Sequence, residues 1–223
     1  MKDELVIFSK PKSNISEDIR TLRTNLQFTA DKEKNQVLLV TSSIPGEGKS
    51  FISSNLATAF AINGESTLII DSDLRLGRIH KIFDVSNKNG LSNLLVEEDL
   101  KDYSDYIKKT NVENLSVITR GTVPPNPSEL LNSPQAKTII NNLRKKFDYI
   151  IFDGVPVNGL PDSLIVAGLV DRVIIVTCAN YSRIDDLDKA KKALEKIDAN
   201  IAGVVVNKTV HEKHGKYGYY YYR

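Results

Sequence analysis

The sequence predicts an α/β doubly wound domain with a mainly parallel sheet, and three observations carry that expectation. Apolar runs rich in Val and Ile recur along the chain, helical patterns separate them, and a glycine-containing loop joins the first run to the first long helix. Strands covered by helices on both faces read as near-continuous apolar runs, whereas a half-exposed strand alternates.

In order, the predicted strands are the runs beginning at Gln36, Ser66, Leu115, Tyr149, Arg172 and Ile201. Helix-like segments fall at about 49–62, 134–146, 161–170 and 183–197, with Gly64 as a stop signal after the first and Pro134 as an early-turn residue in the second. Gly90 to Leu95 reads as a short helix, and Glu97 to Lys109 as a polar, partly helical insertion. Ahead of the first strand, residues of about 15–30 place Ile19, Leu22 and Leu26 at helical spacing, the mark of an amphipathic helix. These elements make one domain, 1–207, followed by a mobile tail, 208–223, with four basic residues against one acidic and five of the nine tyrosines.

Composition narrows the class. At 223 residues, 41% hydrophobic and 26% charged, the chain is ordinary globular protein, long enough for a single well-buried domain. Thirty Lys and Arg against 28 Asp and Glu give no global basic field for nucleic acid. Cys178 has no partner for an internal disulfide and reads as buried and inert, while His80, His211 and His214 lack metal spacing and read as surface residues. The charged N-terminus is no export signal and no run approaches a membrane span, so the expected location is cytoplasmic.

The chemistry concentrates at strand ends. Ser42 to Ser50, SSIPGEGKS, follows a strand and opens a helix, so Pro45, Gly46, Glu47, Gly48, Lys49, Ser50 and Phe51 form a nucleotide-binding run. Loop amides cradle phosphate, Lys49 reaches the β- and γ-phosphates and the Ser50 hydroxyl ligates Mg²⁺. The general pattern GxxxxGK[ST] wants glycine where Ser43 stands. Asp71 and Asp73 are two apart, which in an extended chain projects both carboxylates to one side; one holds the metal and the other accepts a proton, in either order. Asp153 closes the run Tyr149-Ile-Ile-Phe as the later metal-side carboxylate, at a strand end leading into a switch-like loop. Asn207 ends the last strand, where its amide can read adenine, and no Asp follows at guanine-reading spacing, which favours ATP over GTP.

Together these residues resemble the bacterial tyrosine kinases of capsular and exopolysaccharide synthesis, the BY-kinases. The resemblance spans nearly the whole chain: Glu17, Arg20, Arg23, Thr24 and Asn25 in the first helix, VTSSIPGEGKS, IIDSDLR, GTVPPNPSELL from Gly121, IIFD, and the tyrosine-rich tail. It implies an ATP- and Mg²⁺-dependent protein-tyrosine kinase in which Lys49, Asp71, Asp73 and Asp153 are catalytic and Ser50, Asp71 and Asp153 hold the metal. Tyr217, Tyr219, Tyr220, Tyr221 and Tyr222 are then autophosphorylation sites, modified in trans within a ring whose subunit interface includes Glu17, Arg20 and Arg23. It also implies a transmembrane activator that recruits the kinase to the inner face of the membrane through a cytoplasmic segment, a cognate tyrosine phosphatase, and no nucleic acid. The alternative is a nucleotide-switch ATPase similar to the septum-site and partition group. Its signature lysine falls at Ile44 here, and Pro45 replaces a glycine. Gly154 and Val155 depart from the BY-kinase pattern, where small hydroxyl residues and prolines are more usual.

Overall fold

A computed structural model describes residues 4–30, 35–97 and 102–209. The chain opens with α1 (Val6–Ser9) and α2 (Asn14–Phe28), then alternates: β1 (Gln36–Ser42), α3 (Lys49–Ile62), β2 (Thr67–Asp71), α4 (Ile79–Phe83) and α5 (Leu91–Leu94). There follow β3 (Lys108–Lys109), β4 (Leu115–Ile118), α6 (Pro127–Leu131), α7 (Pro134–Arg144), β5 (Tyr149–Pro156), α8 (Asp162–Ala167), β6 (Arg172–Cys178), α9 (Ile184–Glu195) and β7 (Ile201–Asn207).

The strands form one sheet in the order β3-β4-β2-β5-β1-β6-β7, parallel except for the antiparallel β3. Every residue of β1, β2 and β6 is buried, and two apolar layers, one on each face, contain Leu39, Ile70, Phe152 and Ile175 on one side and Leu38, Ile69, Ile151 and Ile174 on the other. Alternate residues of one strand thus go to opposite layers, which is why these strands carry no polar face.

Helix ends follow local chemistry. Ser13 caps α2 by accepting from the Ser16 backbone N–H at 3.2 Å, and Ser133 caps α7, with Pro134 in the first turn. Gly64 follows α3 with φ of 100°, as expected of a helix stop. In α2, Ile19 and Leu26 are buried and Leu22 packs beside them, while the Arg23 guanidinium donates to Ala59 O of α3 at 3.2 Å.

Four expectations need correction. The segment after Glu97 holds no helix among its described residues; it makes a turn at Ser104–Tyr106 and then β3, because Lys108 and Lys109 pair with Val117 and Ser116. β5 does not stop at Asp153 but runs three residues further, to Pro156. Gly154 permits this, since a Cβ there would stand 2.7 Å from Ser163 Oγ and 2.8 Å from Leu39 Cδ1, so the departure from the family pattern lets α8 pack closely on the sheet. β7 is not covered on both faces: as an edge strand it leaves Val204 and Val206 exposed. His80 is not a plain surface residue, for its Nδ1 is buried without a hydrogen-bond partner. Cys178 is buried, as expected.

Candidate active site

The parallel strands converge on a cleft of about 630 Å³ at their carboxyl ends, where open α/β sheets bind ligands. The loop between β1 and α3 forms one wall, the turn after β2 a second, and the β5 exit, with Val155, Pro156 and Leu160, a third. Pro45, Gly46, Gly48, Lys49, Ser50, Phe51 and Asp73 line it.

The loop takes its shape from buried polar contacts. Glu47, expected among the ligand-facing residues, turns its side chain inward. Its carboxylate accepts from the Ser43 hydroxyl at 2.8 and 2.9 Å, from the Ile44 N–H at 2.8 Å and from the Ser182 hydroxyl. Ser43 in place of the pattern's glycine is thereby explained, because its hydroxyl helps satisfy a buried carboxylate. Asn207 donates its amide to Glu47 O at 2.9 Å, and its Oδ1 accepts from the Lys208 N–H. Gly48, with φ of 98°, must be glycine, since a Cβ would lie 2.1 Å from the Asn207 amide nitrogen.

Lys49 Nζ stands 3.8 Å from Asp73 Oδ2. Asp71 and Asp153 are register partners on β2 and β5, and both are fully buried. Asp71 Oδ2 accepts from the Ile79 N–H at 3.0 Å, Asp153 Oδ1 accepts from Ser53 at 3.1 Å, and each carboxylate keeps one buried oxygen without a partner. Burial, then the charge of Asp153, holds the Asp71 carboxyl well above its ordinary range. Burial also raises Asp153, against the opposing pull of Lys49 and of hydrogen bonds from Ser50 and Ser53. Asp73 lies two residues beyond the end of β2 and opens a turn, its Oδ1 accepting from the N–H groups of Arg75 and Leu76, while Oδ2 turns to Lys49.

Two orphaned carboxylate oxygens on adjacent strands, beside the Ser50 hydroxyl, fit a divalent cation. No three His, Cys, Asp or Glu side chains converge as a metal cage among the described residues, so a cation here would take further oxygens from phosphate or water. Sequence reasoning missed several contributors. Asp162, buried at the start of α8, accepts from Arg75 Nε at 3.1 Å and from Ser128 at 2.5 Å, which ties the Gly121 to Leu131 segment to the cleft wall. Tyr181, Ser182 and Lys208 brace the phosphate loop from outside. The signal for Asp162 was weak, a lone Asp after proline; for Ser182 there was none.

Of the expected interface residues, Glu17 and Arg20 pair on the surface at 2.5 Å, whereas Arg23 is engaged with α3. Tyr217 and Tyr219 to Tyr222 lie outside the described residues.

A family model described as "ParA: NUBPL iron-transfer P-loop NTPase" matches residues 33–219. The tyrosine-protein kinase CpsD of Streptococcus pneumoniae is 41% identical over 202 residues, covering 89% of this chain and 87% of that one. The tyrosine-protein kinase YwqD of Bacillus subtilis is 34% identical over 220 residues, covering 99% and 92%. This chain belongs to the bacterial tyrosine kinases. The kinase domain of Escherichia coli Etk, a solved structure, superposes with a TM-score of 0.88 at 32% identity, covering 97% of this chain and 84% of that one. The BY-kinase fold is thus a P-loop NTPase sheet, and the enzyme is a protein-tyrosine kinase. The cell-division ATPase MinD of Pyrococcus furiosus shares the fold alone, at 24% identity and a TM-score of 0.65.

Proposed function

We propose that this BY-kinase uses Mg·ATP to phosphorylate its own tail tyrosines, Tyr217, Tyr219, Tyr220, Tyr221 and Tyr222, in trans within a ring, and so regulates capsular or exopolysaccharide synthesis and export. The observation that carries the site assignment is the pairing of Asp71 with Asp153, each with an unpartnered buried oxygen, beside the Lys49–Asp73 contact.

The residues divide the work. The loop amides and Lys49 bind the β- and γ-phosphates, and Ser50, Asp71 and Asp153 hold the cation. When bound, Mg²⁺ neutralises charge on the transferring phosphoryl group. Asp73 is the base, because it lines the cleft with Oδ2 free of backbone donors, whereas Asp71 is fully buried and bonded to Ile79. It accepts the phenol proton as the tyrosine oxygen attacks. Asn207 keeps one amide N–H beyond its bond to Glu47 O, and that donor reads the adenine.

The domain, 1–207, carries the catalytic site and 208–223 the acceptors. Among the described residues no helix is long and apolar enough to cross a membrane. Recruitment from the cytoplasm then falls to a transmembrane activator, and a tyrosine phosphatase reverses the modification. Phosphotyrosine mass spectrometry after incubation with Mg·ATP and the activator's cytoplasmic segment tests this reading. Phosphate on the tail, lost in Lys49→Met, is expected; nucleotide hydrolysis with no tyrosine modified would instead support the nucleotide-switch alternative.

A further inference from the structure

Four tyrosines lie within the described residues, and they differ sharply in access. Tyr103, Tyr106 and Tyr149 are 5, 8 and 9% exposed, whereas Tyr181 is 58% exposed. A buried phenol reaches another molecule's cleft only by local unfolding; Tyr181 has only to leave its surface contacts with Pro45, Gly46 and Lys208.

Its position is unusual for a surface side chain. Tyr181 follows Asn180, a left-handed residue with φ of 59°, in the turn after β6. Its hydroxyl donates to Pro45 O of the phosphate loop at 3.3 Å. The ring covers Gly46, where a Cβ would stand 3.3 Å from the hydroxyl oxygen. Lys208 Nζ lies 5.8 Å from the ring centroid and donates to Gly46 O at 3.1 Å. Two side chains therefore hold the carbonyls of consecutive residues in the loop that binds nucleotide phosphate.

We propose that Tyr181 is a further phosphoacceptor of this kinase, and that its modification releases the phosphate loop and weakens nucleotide binding. This rests on the kinase reading above. The hydroxyl bonds a carbonyl of its own loop and Tyr181 is not among the residues that line its own cleft, so transfer runs between two copies. The Tyr181 oxygen of one copy bonds to the γ-phosphorus of ATP held by another. The bond from that phosphorus to the β–γ bridging oxygen breaks, ADP leaves, and the phenol proton passes to Asp73 of the acting copy.

The consequence follows from donor chemistry. A tyrosine hydroxyl can donate to Pro45 O; a phosphate dianion has only acceptors and repels that carbonyl. It brings a charge of about −1.5 to −2 beside a loop whose task is to hold anions, and it draws Lys208 off Gly46 O. Both effects disfavour bound nucleotide, so the product of transfer limits the donor's further use.

The test uses the full chain and a variant with tail tyrosines 217, 219, 220, 221 and 222 changed to Phe, each incubated with Mg·ATP and mapped by mass spectrometry. Phosphate on Tyr181 in both, absent in Tyr181→Phe, is expected. A phosphorylated tail with Tyr181 unmodified throughout overturns this inference and leaves the kinase reading standing; no phosphate on any tyrosine removes both. Independently of transfer, protein made with phosphotyrosine inserted at position 181 should bind a fluorescent ADP about tenfold or more weakly than unmodified protein. Tyr181→Phe, which loses one hydrogen bond and gains no charge, should weaken binding less than about threefold. Equal affinity of the phosphorylated and unmodified forms overturns the regulatory half.

Discussion

Asp71 and Asp153 stand opposite one another on adjacent parallel strands, and each keeps one buried carboxylate oxygen without a hydrogen-bond partner. Burial and mutual repulsion thus oppose the ionisation of both carboxyls, and the ionised pair costs stability until a cation joins it. The following predictions start from that pair and from the loop beside it.

Asp71→Asn should stabilise the ligand-free protein while abolishing phosphoryl transfer. The amide keeps the acceptor for Ile79 N–H and removes a carboxyl whose ionisation is opposed by burial and by Asp153. We expect a gain on the order of 1–3 kcal/mol in urea unfolding. A loss of stability would mean that the carboxylate is held by contacts other than those described.

Stability of the ligand-free protein should respond to pH with a definite sign. Both carboxyls are raised above the ordinary 3.8, so between that value and the raised one the folded chain holds protons that the unfolded chain has released. The contribution of the pair is therefore full below about pH 4 and is lost as the pH rises through the folded values. Urea midpoints of the native protein, set against Asp71→Asn and Asp153→Asn, should diverge as the pH increases. Mg²⁺ binding, which needs the ionised form, should tighten over the same range.

Ser182→Ala should loosen the phosphate loop from a distance. It removes one donor from the buried Glu47 carboxylate and the acceptor for Cys178 N–H. A cost of about 1–3 kcal/mol in unfolding and a weaker fluorescent-ADP complex are expected. Unchanged nucleotide affinity would show that Glu47 keeps the loop in shape without Ser182.

Gly48→Ala should destroy nucleotide binding, and a second change should restore only part of it. The added Cβ meets the Asn207 amide, so Asn207→Ala relieves the contact but leaves the strain of a φ of 98° and removes the bond to Glu47 O and the adenine donor. The double variant should recover stability relative to Gly48→Ala, by roughly 1–2 kcal/mol, with nucleotide affinity still depressed. Full recovery of affinity would place the whole cost in the contact.

Much of this was legible in the residues. Six strand-sized apolar runs became six strands, five of them inside the sheet, where a run with no polar face finds cover, and the sixth, β7, at its edge. The phosphate loop was readable from Gly48, Lys49 and Ser50 between a strand and a helix. Less legible were β3, α1 and α4, short elements with no period of their own that form because neighbours accept their backbone or apolar groups. The turn that follows Asp73 was not legible either, since the Asp73 carboxylate draws the next N–H groups into it, a local competition that alternation does not reveal.

The sequence by itself determined the fold class, the family and the identity of the charged groups, since periodicity and motif spacing are local properties of the chain. Only the tertiary structure decided how those groups divide their labour. Glu47 turned inward because Ser182, 135 residues away, meets it there; Asn207, 160 residues from Glu47, reached the loop because β7 ends beside it. Asp71 and Asp153 became a pair through the register of two strands, and Tyr181 came to lie on Pro45 through the order of the sheet. Hydrogen bonds and burial depend on distance in space, and contacts across more than a hundred residues are set by packing rather than by any local pattern.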